Sequence, residues 1–487
     1  MLFSTLLTTT VVLVLAHLIR NYFAVPASIP GPFLARFSDL WRAYKQYRGL
    51  LRSELTKLHA KHGPIVRYGI RSISVSEPNA IDIVYGSRAG FVVANSYDVL
   101  VGISNGKEVP SLVSTRDETR HGQLRRSVAG AFTVRGAQGY EPFVDATIPD
   151  LIKALHRDPK TDLPHLQMLY SMDSAARMAF SESLGCLESG TDNGGSIELI
   201  RDRFRHWGWW SSLPWLERLV YRNSWAMRRS KGKTPSAMVS TAVRKLRDRM
   251  SEKGQSSDDM LHKFIEAHRA SPNLIDQQGI VSLLMSTISG AGDTTATTIT
   301  AVLFFLYNHT HQLEKLRKEL VQANVKNDEV PQFATTNKLP YLAAVIKESM
   351  RLFPTATWPI ERLVPAEGIT IAGADISPGT SVGIFVSSLH LTKDTFGEDA
   401  NEFRPERWIE ADEDRLKTME HAFMGFSRGR RICLGQNVAL MQMKKVVPAL
   451  VMSFDLEFVQ ADAHLEADMS LAVAAMKPLW VKAEPRS

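Results

Sequence analysis

From Leu2 to Ile19 the chain has no Asp, Glu, Lys or Arg, and apolar residues dominate through Leu6-Leu7 and Val11-Val12-Leu13-Val14-Leu15. Eighteen residues at about 1.5 Å rise span about 27 Å, close to the thickness of an endoplasmic reticulum bilayer. A cleaved signal peptide is the competing reading. Such peptides open on a basic residue ahead of a shorter apolar run, and no Lys or Arg precedes this one. We therefore expect an uncleaved anchor over residues 1–22, although Ser4, Thr5, Thr8, Thr9, Thr10 and His17 make it a modest span. Pro26, Pro30, Gly31 and Pro32 forbid a continuing helix, so residues 23–32 read as a stiff, extended hinge.

Beyond the hinge the spacing of apolar positions is mostly helical. Val66 to Tyr68 and Ile73 to Val75 alternate as short strands. So do Ile369 to Ile371 and Thr380 to Phe385, around the turn signals Gly373 and Pro378-Gly379. The longest helical stretch runs from about Asp276 to Asn308 without a proline. No linker, repeat or low-complexity tract divides residues 33–487, so we read them as one domain, mainly helical with small sheets.

Composition narrows the classes. The chain has 487 residues, 44% of them hydrophobic, enough for a large core. The formal charge of +7 comes without a dense Lys/Arg run or a nucleic-acid motif, so a membrane surface and an acidic redox partner explain it better than nucleic acid. Cys186 and Cys433 are the two cysteines; they make no disulfide framework and suit a reducing compartment.

Cys433 lies in Phe426-Ser427-Arg428-Gly429-Arg430-Arg431-Ile432-Cys433-Leu434-Gly435. A thiolate there can serve as the proximal ligand of a haem iron. Gly429 and Gly435 let the backbone approach a flat macrocycle, Arg431 can pair with a propionate, and nearby cations keep the cysteine ionised. Gly425-Phe426-Ser427-Arg428-Gly429 also matches a hydrolase nucleophile elbow, but its lead-in, Asp412 to Met424, lacks strand alternation. In this stretch the chain resembles the cytochrome P450 family, whose haem-binding signature it matches at every defining position, and the likeness runs from the hinge to the C-terminus. Phe426 and Gly435 are then cofactor-contacting positions, and Cys433 is the axial ligand of haem b.

The middle of the long helix reads Gly290-Ala291-Gly292-Asp293-Thr294-Thr295. Glycines and adjacent threonines inside a helix cost stability. Close helix packing is one reason to keep them; a dinucleotide loop is excluded by the missing third glycine and the missing strand–turn. The resemblance implies another reason. Asp293 and Thr294 occupy the family's acid–alcohol positions over the haem, where the helix opens slightly and protons are relayed through water. Ala291 stands where the family usually has glycine.

Glu348 and Arg351 share a helix face and alone would read as a surface ion pair. With Phe403-Arg404-Pro405-Glu406-Arg407-Trp408 downstream, the resemblance implies a buried triad of Glu348, Arg351 and Arg407 behind the cysteine loop, with Trp408 replacing the family's Phe. It also makes His121, Arg125, Arg362 and Arg431 the partners of the haem propionates.

Trp207, Trp209, Trp210, Trp215 and Trp225 cluster among arginines. An aromatic core helix with a basic outer face and a membrane-dipping loop at a substrate entrance are both consistent with that pattern. Alignment to the family puts residues 94–113, 284–294, 355–359 and 472–476 around the substrate; they are largely apolar, so a lipophilic substrate is expected.

The resemblance thus implies a monooxygenase of the fungal microsomal type, closest in look to the pisatin demethylase-like group. It would hydroxylate or O-demethylate a small molecule in secondary metabolism, with electrons from NADPH through a partner reductase, and cytochrome b5 as a further partner. Its catalytic domain would face the cytosol from the endoplasmic reticulum membrane. Desaturation, epoxidation or ring formation are the rival outcomes. A haem electron carrier or gas sensor is the rival class, and it would have no use for Asp293 and Thr294.

Overall fold

The computed structural model describes all residues except 1, 87–89, 232–235, 252–256, 328 and 487. Seven helices carry the architecture relevant to the site. α1 (Leu2–Tyr22) is the N-terminal apolar helix, and α2 (Glu118–Val128) lies early in the body. α3 (Leu163–Phe180) and α4 (Ser196–Trp210) precede the long α5 (Gln277–Tyr307). α6 (Pro340–Leu352) and α7 (Gln436–Ser453) complete the set. The long helix ends within one residue of its expected bounds. Asp276 is its N-cap, its carboxylate accepting the Gly279 amide at 2.7 Å. At about 1.5 Å per residue it is about 46 Å long, and it packs on α3, α6 and α7. Core residues surround its C-terminal half almost completely, from Thr295 to Leu303.

Five strands form a sheet at one side. β1 (Ile65–Gly69) pairs antiparallel with β2 (Ser72–Val75); β3 (Val92–Val93), β4 (Arg362–Leu363) and β5 (Ser381–Ile384) complete the order β1-β2-β5-β4-β3. β5 runs parallel to β2, with Ser381 opposite Ser72, and carries Arg362 of β4 opposite Val382. A second sheet, absent from the sequence reading, joins Phe454–Phe458, Trp480–Pro485 and Lys160–Asp162. The first of these strands does alternate, burying Phe454 and Leu456, whereas Lys160–Asp162 is short, polar and largely accessible, so no hydrophobic pattern marks it.

α1 is exposed from Phe3 to His17, its end at Asn21 is buried, and it is the one described helix long and apolar enough to cross a membrane. The hinge is packed onto the body. Val25 and Ile29 are buried in the core of the first sheet. The buried Arg67 guanidinium of β1 donates to the carbonyls of Asn21 (2.7 Å), Tyr22 (2.9 Å) and Ile70 (2.7 Å). It thereby satisfies carbonyls at the end of α1 that the helix leaves unpaired. Gly31 is obligatory at this contact, since a Cβ would lie 2.0 Å from the Arg67 carbonyl oxygen.

Candidate active site

The cysteine loop is held by its backbone. The Ser427 amide donates to the Met424 carbonyl at 2.9 Å, and the Cys433 amide to that of Phe426 at 2.9 Å. Gly429 has φ +70°, and a Cβ there would lie 1.7 Å from the Tyr85 carbonyl oxygen, so the loop and the Tyr85 helix touch through backbone alone. Cys433 precedes α7 directly. Solvent reaches it, yet enough protein surrounds the thiol for burial to push its pKa up; the Gly435 and Gln436 amides and Arg125 act the other way. The sulfur is thus accessible although protein surrounds it. Burial thus opposes the ionisation that Arg125 and the two amides favour; a coordinated metal deprotonates a thiol outright.

Four guanidinium groups surround His121, and one of them, Arg125, also acts on the thiol. Burial, then the charges of Arg431, Arg125, Arg362 and Arg430, drive the His121 pKa down to about 3, so this imidazole is neutral. Arg362 is buried over the Tyr85 ring, 5.1 Å from its centroid. Arg431 is partly committed: it donates to Glu118 Oε1 at 2.8 Å and to the Thr115 carbonyl at 2.7 Å. Among the described residues Arg125 and Arg362 have no ion-pair partner. Gathered cations with one carboxylate between them call for anions, and two propionates meet that demand. An added Cβ at Gly435, or at Gly290 of α5, meets no atom within 4 Å. Both glycines therefore border open space, as a flat macrocycle between the cysteine loop and α5 requires. The residues fit haem.

On α5, Gly292 packs on α3, where a Cβ would lie 3.3 Å from Met168 and Met172. Ala291 is half-buried against the core. Residues 290–295 lie within the continuous helix assignment of α5, and the Thr294 hydroxyl bonds back to the Gly290 carbonyl. Asp293 is buried, with Oδ1 3.5 Å from Arg201 Nε of α4 and Oδ2 without a hydrogen-bond partner. Burial raises its pKa against the pull of Arg201. Arg201 was only one of many arginines in the sequence reading, and nothing in the sequence ties it to Asp293.

The expected triad assembles. Glu348, Arg351 and Arg407 are buried. Arg351 pairs side-on with Glu348 at 2.7 and 2.8 Å, and Arg407 Nε donates to Glu348 Oε1 at 2.8 Å. The Trp408 indole N–H adds a bond to Glu348 Oε2 at 2.9 Å, which phenylalanine could not make.

The cytochrome P450 family model matches residues 30–482. The chain belongs to the cytochrome P450 family. It is 32% identical over 462 residues to a cytochrome P450 monooxygenase of Aspergillus terreus, covering 91% of this chain and 93% of that protein. It is 31% identical over 445 residues to the cytochrome P450 monooxygenase pkfB of Emericella nidulans, covering 89% and 87%. A third relative, the cytochrome P450 monooxygenase mpaDE' of Penicillium brevicompactum, is 31% identical over 460 residues; these span 92% of this chain but 54% of that longer protein. The chain is accordingly a monooxygenase, an oxidoreductase of a haem-thiolate family.

In this cytochrome P450 two of the four segments aligned to the substrate pocket, 355–359 and 472–476, meet beside α5. Ala356 bridges to Val473, the Ala474 amide donates to the Thr355 carbonyl at 2.9 Å, and Thr297 of α5 donates to the Ala474 carbonyl at 3.1 Å. The tryptophans divide. Trp207 points inward, its N–H on the Ser96 carbonyl at 3.0 Å and its ring 5.4 Å from Trp358. Trp215 and Trp225 point outward, 66% and 65% exposed, with Leu219 at 63%. Trp207 therefore belongs to the interior, and Trp215 and Trp225 to the surface.

Proposed function

We propose that Cys433 is the axial ligand of haem b and that the enzyme hydroxylates or O-demethylates a lipophilic small molecule in secondary metabolism. Haem held there would supply O2 activation and oxygen insertion into a carbon–hydrogen bond, with electrons from NADPH through a partner reductase. His121, Arg125, Arg362 and Arg431 would hold its propionates, and Phe426 and Gly435 would lie against it. Asp293 takes up a proton from the Arg201 side, and Thr294 passes it on through ordered water. The triad of Glu348, Arg351 and Arg407 supports the loop without touching reactants.

The observation that carries the reading is the accessible thiol of Cys433 near a cluster of arginines with Glu118 as the one carboxylate paired to it among the described residues. The exposed α1, with Trp215, Leu219 and Trp225 among arginines, supports a single-pass anchor in the endoplasmic reticulum membrane and a loop dipping into its cytosolic surface. Cys433→Ser should abolish the thiolate-type band of the reduced carbon monoxide complex; a protein that kept this band would overturn the ligand assignment. The metabolites lost from a gene-deleted strain identify the substrate.

A further inference from the structure

The triad and the cysteine loop are separate elements, and one side chain joins them. His390 is fully buried. Its Nδ1 lies 3.1 Å from the Arg351 carbonyl oxygen and its Nε2 lies 2.9 Å from the Met424 amide nitrogen. A backbone amide can only donate, so Nε2 is the acceptor and the ring proton sits on Nδ1, which donates to Arg351. The two contacts therefore fix the tautomer. Burial, the larger influence, drives the pKa of this imidazole down to about 3, so the arrangement does not change with pH in any working range.

Three further contacts make the ring a rigid spacer. Its plane lies within 4° of the Phe423 ring at 5.4 Å, and it meets Phe396 edge-on at 6.1 Å. The His390 carbonyl accepts from Arg351 Nη1 at 2.7 Å, so residue and triad are bonded in both directions. Met424 in turn opens the turn that presents the cysteine, through the Ser427 amide on its carbonyl.

We propose that His390 is the positioning residue that sets the register of the cysteine loop against the triad, acting through its Nε2 on the Met424 amide. The inference rests on Cys433 being the haem ligand. It makes a prediction that general core packing does not, because the two ring nitrogens have separable tasks. In His390→Gln the amide oxygen reaches the Nε2 position and still accepts from Met424. In His390→Asn the amide nitrogen takes the Nδ1 position and still donates to Arg351, but the buried Met424 amide loses its acceptor.

The test is the reduced carbon monoxide spectrum of the purified full-length holoenzymes at equal haem content and well below their unfolding temperatures. His390→Gln should keep the thiolate-type band. His390→Asn should lower the ratio of thiolate to non-thiolate form by roughly 5–30-fold, the factor that one buried hydrogen bond commands. Should the Asn variant not accumulate as holoenzyme, hydrogen exchange across Met424 to Cys433 in the Gln variant decides: wild-type protection supports the assignment and its loss overturns it. Gln and Asn variants with equal ratios overturn the inference alone. A wild-type protein without the thiolate band overturns the Cys433 assignment and the inference together.

Discussion

Replacing Arg201 by alanine isolates the electrostatics of the buried acid. Arg201 Nε is 3.5 Å from Asp293 Oδ1, and the side chains are 27% and 3% exposed. Two unit charges at 4 Å interact by about 4 kcal/mol at an effective dielectric of 20. Partial exposure of the guanidinium lets water and salt screen it, so we take about 1–2 kcal/mol. The sign follows from the charge. Burial already holds the Asp293 pKa above its ordinary value, and Arg201 pulls it down; without Arg201 it rises further. The carboxylate then protonates at a higher pH, and the acid limb of coupled turnover moves up with it. The assay is product formed per NADPH consumed, measured from about pH 5 to pH 8.5 with a saturating reductase. Arg201→Lys should restore most of the shift, and Asp293→Asn should remove the limb. An unmoved limb in Arg201→Ala, with the limb absent in Asp293→Asn, would refute the coupling; a limb that survives Asp293→Asn would refute the role of the acid itself.

Thr294→Ala should leave haem content and the carbon monoxide spectrum intact while product per NADPH falls and hydrogen peroxide rises. The proton-transfer step loses up to about 10²–10⁴-fold if water does not substitute, and unchanged coupling would exclude the relay. Removing residues 1–20 should release much of the protein from membranes, with residual binding through Trp215 and Trp225. Removing residues 1–24 also takes the Asn21 and Tyr22 carbonyls from buried Arg67, so the longer deletion should melt lower, by an amount set by about 1.5–3 kcal/mol per lost bond before water replaces it; equal melting of the two would show that Arg67 does not depend on the end of α1. Arg407→Met leaves Glu348 short of a buried counter-charge and should cost about 3–5 kcal/mol in unfolding. Trp408→Phe, which removes one bond to the same carboxylate, should cost less than half of that.

Local patterns were legible where one segment carries the whole requirement. The bounds of α5 follow from an Asp276 cap and an uninterrupted apolar run, and the cysteine loop announces its own geometry through Gly429 and Gly435. The triad was legible through two motifs together. Misses occurred where the deciding partner is remote. Lys160–Asp162 is a strand only because Trp480–Lys482 pairs with it. The hinge reads as stiff and extended, and nothing in Pro26 to Pro32 reveals that the first sheet will bury Val25 and Ile29.

The sequence by itself determined the chemistry on offer: a lone cysteine in a glycine-bracketed loop, an acid–alcohol pair in a long helix, arginines in excess and an apolar N-terminal run. These are properties of short spans, set by side-chain type, backbone freedom and hydrophobic length. Only the tertiary structure decided which charges meet. Arg201 rather than any neighbouring arginine reaches Asp293, Glu118 takes a share of Arg431, Trp408 donates to Glu348, and His390 bridges Arg351 to Met424. Such pairings join residues tens to hundreds of positions apart, and each depends on a buried distance of a few ångströms that packing fixes and no local pattern encodes.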